Sequence, residues 1–112
     1  MADEFARALL LMRRRDTQLA ADGFQRLRGL AAEHVDRLID EFRREPDHGV
    51  RCSLLELIGE ARSSRAFDLL AGQLRSDDES LRSSAERGLQ LLDTEAARTT
   101  LWQHGQAAEP AP

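Results

Sequence analysis

The groups in this chain that could do chemistry are few in kind: three histidines (His34, His48 and His104), one cysteine (Cys52) and many carboxylates. A protein metal site needs three or four convergent donors. The histidines lie far apart in the sequence, and we expect none of them to join a Cys/His cluster or an i, i+4 ligand pair. Solvent-exposed or capping roles are the plainer assignment. Cys52 follows Arg51, whose guanidinium would favour the thiolate that a reactive cysteine requires. Its place in the pattern described below is shared with Ala21 and Ser83, which marks a small packing residue, and no histidine is expected to serve it as a base. Carboxylates such as Asp36, Asp40, Glu41, Glu56, Glu60 and Asp68 stand at spacings typical of solvated helix faces. Acid–base work would need a pocket that drives two pKa values apart. Phosphate-cradling glycine loops, Gly-x-Ser-x-Gly and His-Glu-x-x-His are absent. The expectation is therefore no catalytic residue, no metal, no cofactor and no enzyme activity.

The elements that would position these groups follow from an internal repeat, which must be sought first in any chain of this kind. Asp-x-x-x-Arg occurs at Asp47–Arg51 and again at Asp78–Arg82, 31 residues apart. Apolar columns share that spacing: Leu19, Val50 and Leu81; Gly23, Leu54 and Ala85; Leu27, Ile58 and Leu89; Leu30, Ala61 and Leu92. Within one segment these positions are i, i+4, i+8 and i+11, one face of a helix. A second set aligns with small shifts: Phe5, Val35 and Phe67; Ala8, Leu38 and Leu70; Leu9, Ile39 and Ala71; Met12, Phe42 and Leu74. Arg13, Arg43 and Arg75 follow directly, where cations complement the negative helix end.

Seven helices are predicted, near 3–14, 17–29, 32–45, 49–61, 64–75, 79–92 and 94–104, with no strand. Asp16-Thr17, Asp47, Asp77-Asp78 and Asp93-Thr94 stand at the joints as candidate N-caps. Trp102 in the last helix is expected to cover the hairpin before it; if left exposed, it would favour end-to-end self-assembly. One helix pair cannot bury its own apolar face, so three pairs should stack into a continuous core. The architecture expected is all-α: a short right-handed solenoid of about three hairpins plus a closing C-terminal helix, spanning residues 1–104. Residues 105–112, lacking apolar periodicity, form an expected disordered tail.

Composition bounds the function. At 112 residues with a net charge of −4 and 32% charged residues, the chain is long enough for a core without disulfide or metal. All 16 basic residues are arginine. Residues 1–45 carry 9 Arg and 9 acids, and residues 46–112 carry 7 Arg and 11 acids; neither half has the basic excess that phosphate binding needs. Arg13-Arg14-Arg15 with Arg43-Arg44 make at most a small basic edge. The start, Met1-Ala2-Asp3-Glu4, is not a basic leader, and Leu9-Leu10-Leu11-Met12 is too short to span a bilayer. A lone cysteine fits a reducing compartment, so a cytoplasmic location is expected.

Three stretches resemble the short HEAT-like repeats of phycobilisome-lyase-type proteins: Val50-Arg51-x-x-Leu54-x-x-Leu57-Ile58-Gly59, Ala66-x-x-Leu69-Leu70-x-x-x-Leu74 and Asp77-Asp78-x-x-Leu81-Arg82-x-x-Ala85. The resemblance is good over 32–92 and weaker over 3–31, where Ala20 replaces the arginine. It implies a structural ladder in which turn aspartates pair with the following arginines across neighbouring repeats: here Asp47, Arg51, Asp78 and Arg82.

The function expected is a non-catalytic protein–protein interaction module, an adaptor or scaffold gripping a partner on the concave face. The candidate contact residues are Asp22, Gln25, Ser53, Glu56, Glu60, Ser84, Arg87 and Gln90. The alternatives are a small immunity or inhibitor protein suited by its acidity to a basic partner and, behind it, a lyase-like or nucleic-acid-binding helical-repeat protein. The partner expected is another protein, not nucleic acid or a membrane.

Overall fold

The computed structural model describes residues 3–108. Met1, Ala2 and the last four residues, with the expectations placed on them, lie outside the described residues. Seven α-helices make up most of the chain: α1 (Glu4–Met12), α2 (Thr17–Leu30), α3 (Val35–Arg44), α4 (His48–Glu60), α5 (Phe67–Gln73), α6 (Glu79–Leu92) and α7 (Glu95–Ala108). Short 3-10 turns at Ala31–Glu33 and Ser64–Ala66 lead into α3 and α5. No strand occurs among the described residues. Each predicted segment holds one helix.

Five of the seven helices start on a side-chain cap, while α3 and α5 follow the 3-10 turns without one. Asp3, Asp16, Asp47 and Asp78 accept hydrogen bonds from the backbone N–H groups of Ala6, Leu19, Val50 and Leu81, at 2.7–3.0 Å. Each satisfies an amide that the first turn leaves without a partner. At α7 the cap is Thr94, whose hydroxyl accepts from Ala97 N–H at 3.1 Å. Asp93 instead closes α6 in the left-handed conformation, φ 50°, and its carboxylate meets Arg98 at 3.0 Å.

Consecutive helices pack in pairs: α1 with α2, α3 with α4, and α5 with α6. In addition α2 touches α4, α4 touches α6, and α7 covers α6 and part of α5. The molecule is elongated, 56 × 25 × 21 Å. The apolar columns account for the core: Leu27, Ile58 and Leu89 are fully buried, as are Ala8, Leu38, Leu54 and Ala85. Helix α4, flanked on several sides, also buries Leu55 and Leu57. Such burial is worth roughly 1.5–3 kcal/mol per large aliphatic side chain.

Two close approaches set the spacing of the helices. At Gly23 in α2 a Cβ would lie 2.3 Å from Met12 N and 2.7 Å from Ala8 O of α1. At Gly59 in α4 it would lie 2.9 Å from the Cα of Gly88 in α6. His48 meets Asp78 at the helix starts and Gly59 meets Gly88 towards their ends, so α4 and α6 run side by side in the same direction.

Two features differ from expectation. Helix α7 continues through 105–108, residues assigned above to the tail. Gln106, Ala107 and Ala108 are good helix formers, and Gly105 costs only about 1 kcal/mol within a helix. Trp102 does not cover α6: it is 65% exposed. The packed stripe of α7 runs through Ala97, which is buried, and half-buried Leu101. Trp102 follows Leu101 by one residue, about 100° further round the helix, and so points away from that stripe.

Candidate functional site

The parallel run of α4 and α6 leaves an open cleft of ≈ 280 Å³ lined by Glu56, Gly59, Glu60, Ser83, Ser84, Arg87, Gly88 and Leu91. The two glycines lie where the helix backbones touch, which brings the flanking polar side chains close across the seam. A second hollow of ≈ 290 Å³ adjoins it, sharing Glu60, Arg87 and Leu91 and adding Arg28, Ala31, Ala32, Ala61 and Arg62. Arg28 Nε lies 3.0 Å from Glu60 Oε2, although that oxygen receives no well-aligned hydrogen bond. Arg28 Nη2 also donates to Glu60 Oε1 at 3.2 Å, and the ion pair fixes the Glu60 carboxylate between the two hollows.

Of the eight contact residues expected from the sequence, Glu56, Glu60, Ser84 and Arg87 converge on this cleft. Ser53 lies elsewhere, in a hollow with Arg13, Arg14, Arg15 and Glu45. Asp22, Gln25 and Gln90 are exposed and line neither hollow; Asp22 accepts a hydrogen bond from Gln18 at 3.1 Å. Gly59, Ser83, Gly88 and Leu91 were not anticipated as lining residues. Gly59 and Gly88 are 29 residues apart rather than 31, so alignment on the repeat period does not pair them.

The residues of the expected ladder take other partners. Asp47 caps α4. The Arg51 guanidinium lies over the Phe42 ring, 4.4 Å from its centroid. Arg82 donates to the Ser76 carbonyl at 2.7 Å. Among the described residues neither Asp47 nor Asp78 is ion-paired with Arg51 or Arg82. Other charges tie neighbouring helix pairs together. Arg13 pairs with Glu45 at 2.8 Å and with Glu41 at 3.3 Å. Arg28 meets Glu60, Arg37 meets Asp3 at 2.9 Å, and Arg65 meets Asp36.

The histidines also depart from expectation. His34 packs against Phe5, with ring centroids 5.4 Å apart, and makes no side-chain cap at α3. His104 borders a hollow between α5 and α7. His48 does join a cysteine: His48 and Cys52 are i, i+4 on α4, contrary to the reading that no such pair exists. One helical turn brings Cys52 Sγ to 3.6 Å from His48 Nε2 and 4.0 Å from Nδ1. The same Nε2 lies 2.5 Å from Asp78 Oδ2. His-x-x-x-Cys was the available signal; Asp78 enters only through the packing of α6 on α4.

Burial pushes the Cys52 thiol pKa up, reinforced by the Asp78 carboxylate and opposed by Arg51. The Asp78 pKa is held down chiefly by the Leu81 amide, with His48 assisting against burial. A thiol so disposed is not activated for attack. A nucleophilic relay would also need the acid and the thiol on opposite nitrogens of the imidazole. Here the sulfur lies nearer the nitrogen that Asp78 already holds.

Comparison with protein-family models, with curated proteins and with solved structures finds no match. The class defined by the described residues is an all-helical chain with an open cleft between α4 and α6 that mixes polar and apolar lining. No helix among them is long and apolar enough to cross a membrane.

Proposed function

We propose that the chain is a non-catalytic protein-interaction module: a short right-handed HEAT-like solenoid of about three hairpins closed by α7, working as an adaptor or scaffold in the cytoplasm. The partner lies along the cleft between α4 and α6. The observation that carries this reading is the convergence of Glu56, Glu60, Ser84 and Arg87 on one open hollow. Its lining offers carboxylates, hydroxyls and a guanidinium, groups suited to hydrogen bonding and charge complementarity at an interface. A protein segment presenting a basic side chain to Glu56 and Glu60, with an acceptor for Arg87, fits that chemistry. The net charge of −4 adds steering of a basic partner.

The test is selection of binders from a displayed random-peptide library, followed by affinity measurements on Glu56→Arg and Arg87→Glu. Binders enriched in basic residues should lose at least about tenfold in affinity to each reversal, the scale of a 1.4 kcal/mol contact, while the melting temperature barely moves. Binders indifferent to both reversals would refute the cleft as the recognition site.

Self-association through α7 is the second reading, and Trp102, 65% exposed, favours it. Sedimentation over a concentration series should then show association that Trp102→Ala abolishes. A monomer at every concentration removes this reading.

A further inference from the structure

We propose that His48, Cys52 and Asp78 form a binding site for a divalent transition metal, Zn²⁺ first among them, that clips the start of α4 to the start of α6. The three donor atoms lie within 4.8 Å of one another. Tetrahedral zinc with bonds of about 2.0 Å to nitrogen and oxygen and about 2.3 Å to sulfur places nitrogen and oxygen about 3.3 Å apart, and nitrogen and sulfur about 3.5 Å apart. The Sγ–Nε2 separation is already 3.6 Å. The Nε2–Oδ2 separation of 2.5 Å is a close hydrogen-bond contact, and it must open by under about 1 Å for an ion to bind both atoms. His48, on the exposed first residue of α4, has the freedom to make that adjustment.

The carboxylate is held ready. Asp78 spends Oδ1 on the cap, accepting from Leu81 N–H at 2.9 Å, and turns Oδ2 to His48. Its own amide donates to Ser76 Oγ at 3.1 Å, and Arg82 secures the Ser76 carbonyl. Outer contacts of this sort orient a metal ligand. The donor set selects the ion: one sulfur, one imidazole and one carboxylate suit zinc and its neighbours, whereas calcium and magnesium require oxygen shells. Three protein ligands leave a fourth position open to water or to a donor from a partner. The site is separate from the cleft at Gly59 and Gly88, so it stands whether or not the binding function above holds.

The test is titration of the full reduced chain with Co²⁺ as a spectroscopic probe, followed by displacement with Zn²⁺. The expected result is one ion per chain, thiolate-to-cobalt charge transfer in the near ultraviolet, tetrahedral visible bands, and a melting temperature that rises with Zn²⁺. Cys52→Ser should abolish the charge transfer. His48→Gln and Cys52→Ser should each weaken Zn²⁺ binding by more than the roughly tenfold to 100-fold that loss of an outer-shell partner costs. Asp78→Asn keeps a side-chain oxygen for the cap, so it should weaken metal binding in a chain that remains folded; His104→Gln should change nothing. Absence of the charge-transfer band, or Zn²⁺ affinity unchanged in both His48→Gln and Cys52→Ser, would overturn the proposal. Binding of several ions that survives all three ligand substitutions would do the same, since it would mark adventitious carboxylate sites.

Discussion

Replacing glycine by alanine at two positions of α2, six residues apart, should shift stability in opposite directions. At Gly29 an added Cβ meets nothing within 4 Å. The substitution there restores helix propensity and should stabilise the fold by up to about 1 kcal/mol. At Gly23 the same methyl would sit 2.3 Å from Met12 N, 2.7 Å from Ala8 O and 2.8 Å from Leu11 Cβ. Two of those atoms are backbone, so no side chain can swing aside and α1 must move off α2. Overpacking of this severity costs about 3 kcal/mol or more, of which propensity returns about 1 kcal/mol. The two variants should differ by roughly 3 kcal/mol, which at about 4 °C per kcal/mol separates their melting temperatures by roughly 12 °C. Gly59→Ala, facing the Gly88 backbone at 2.9 Å, should fall between them. Urea unfolding followed by far-ultraviolet circular dichroism supplies the midpoints, with equal slopes as the check that the unfolded states are comparable. Gly23→Ala as stable as Gly29→Ala would mean that the backbones of α1 and α2 do not approach this closely, and the packing derived for the first pair would be wrong.

Two further perturbations test the charges. Glu45 is 4% exposed and its carboxylate pairs with Arg13 at 2.8 Å; Arg13→Ala should cost about 1–3 kcal/mol, the penalty for a stranded buried charge discounted for Arg13's solvent exposure. Adding Glu45→Gln should recover part of it, and a double-mutant cycle by chemical denaturation measures both steps. Asp3 has its pKa lowered by the Ala6 amide first and by Arg37 second, so its contribution is present above the ordinary value of 3.8 and is lost as pH falls through the lower, folded value. Asp3→Asn should therefore flatten the acid limb of a melting-temperature profile below pH 3.8 while leaving its slope above that pH unchanged; an identical acid limb in both chains refutes the assignment.

The helices were legible because their signals are local. Periodic leucines and isoleucines fix which face a helix buries, and aspartate or threonine at the joints fixes where α1, α2, α4, α6 and α7 start. The candidate cleft was legible in part, since Glu56, Glu60, Ser84 and Arg87 share a helical face that the apolar columns define by exclusion. What escaped depends on how helices sit against one another. Gly59 and Gly88 matter because two backbones touch, and a sequence period of 31 does not match residues offset by 29. Trp102 escaped for a related reason: one position of rotation along α7 separates a covering residue from an exposed one, and the sequence gives no direct measure of which stripe α6 meets.

The ion pairs expected from the sequence repeat and the contacts observed differ for a geometric reason that also bears on the proposed metal site. Residues about one period apart stand at similar heights on neighbouring helix pairs. Contacts joining pairs accordingly link positions 28 to 34 residues apart, as in Arg13 with Glu41 and Glu45, Arg28 with Glu60, Arg37 with Asp3, His48 with Asp78 and Arg65 with Asp36. A cross-link between two copies of the repeated aspartate, Asp47 and Asp78, would set two carboxylates against each other and repel; Asp78 meets His48 instead. Bridging that level needs a basic or coordinating residue one step away in the sequence, which is the position His48 holds. Arg51, a full turn beyond Asp47, reaches the Phe42 ring instead, and Arg82 reaches the Ser76 carbonyl. The place where the expected ladder fails is thus where imidazole, thiol and carboxylate are brought together.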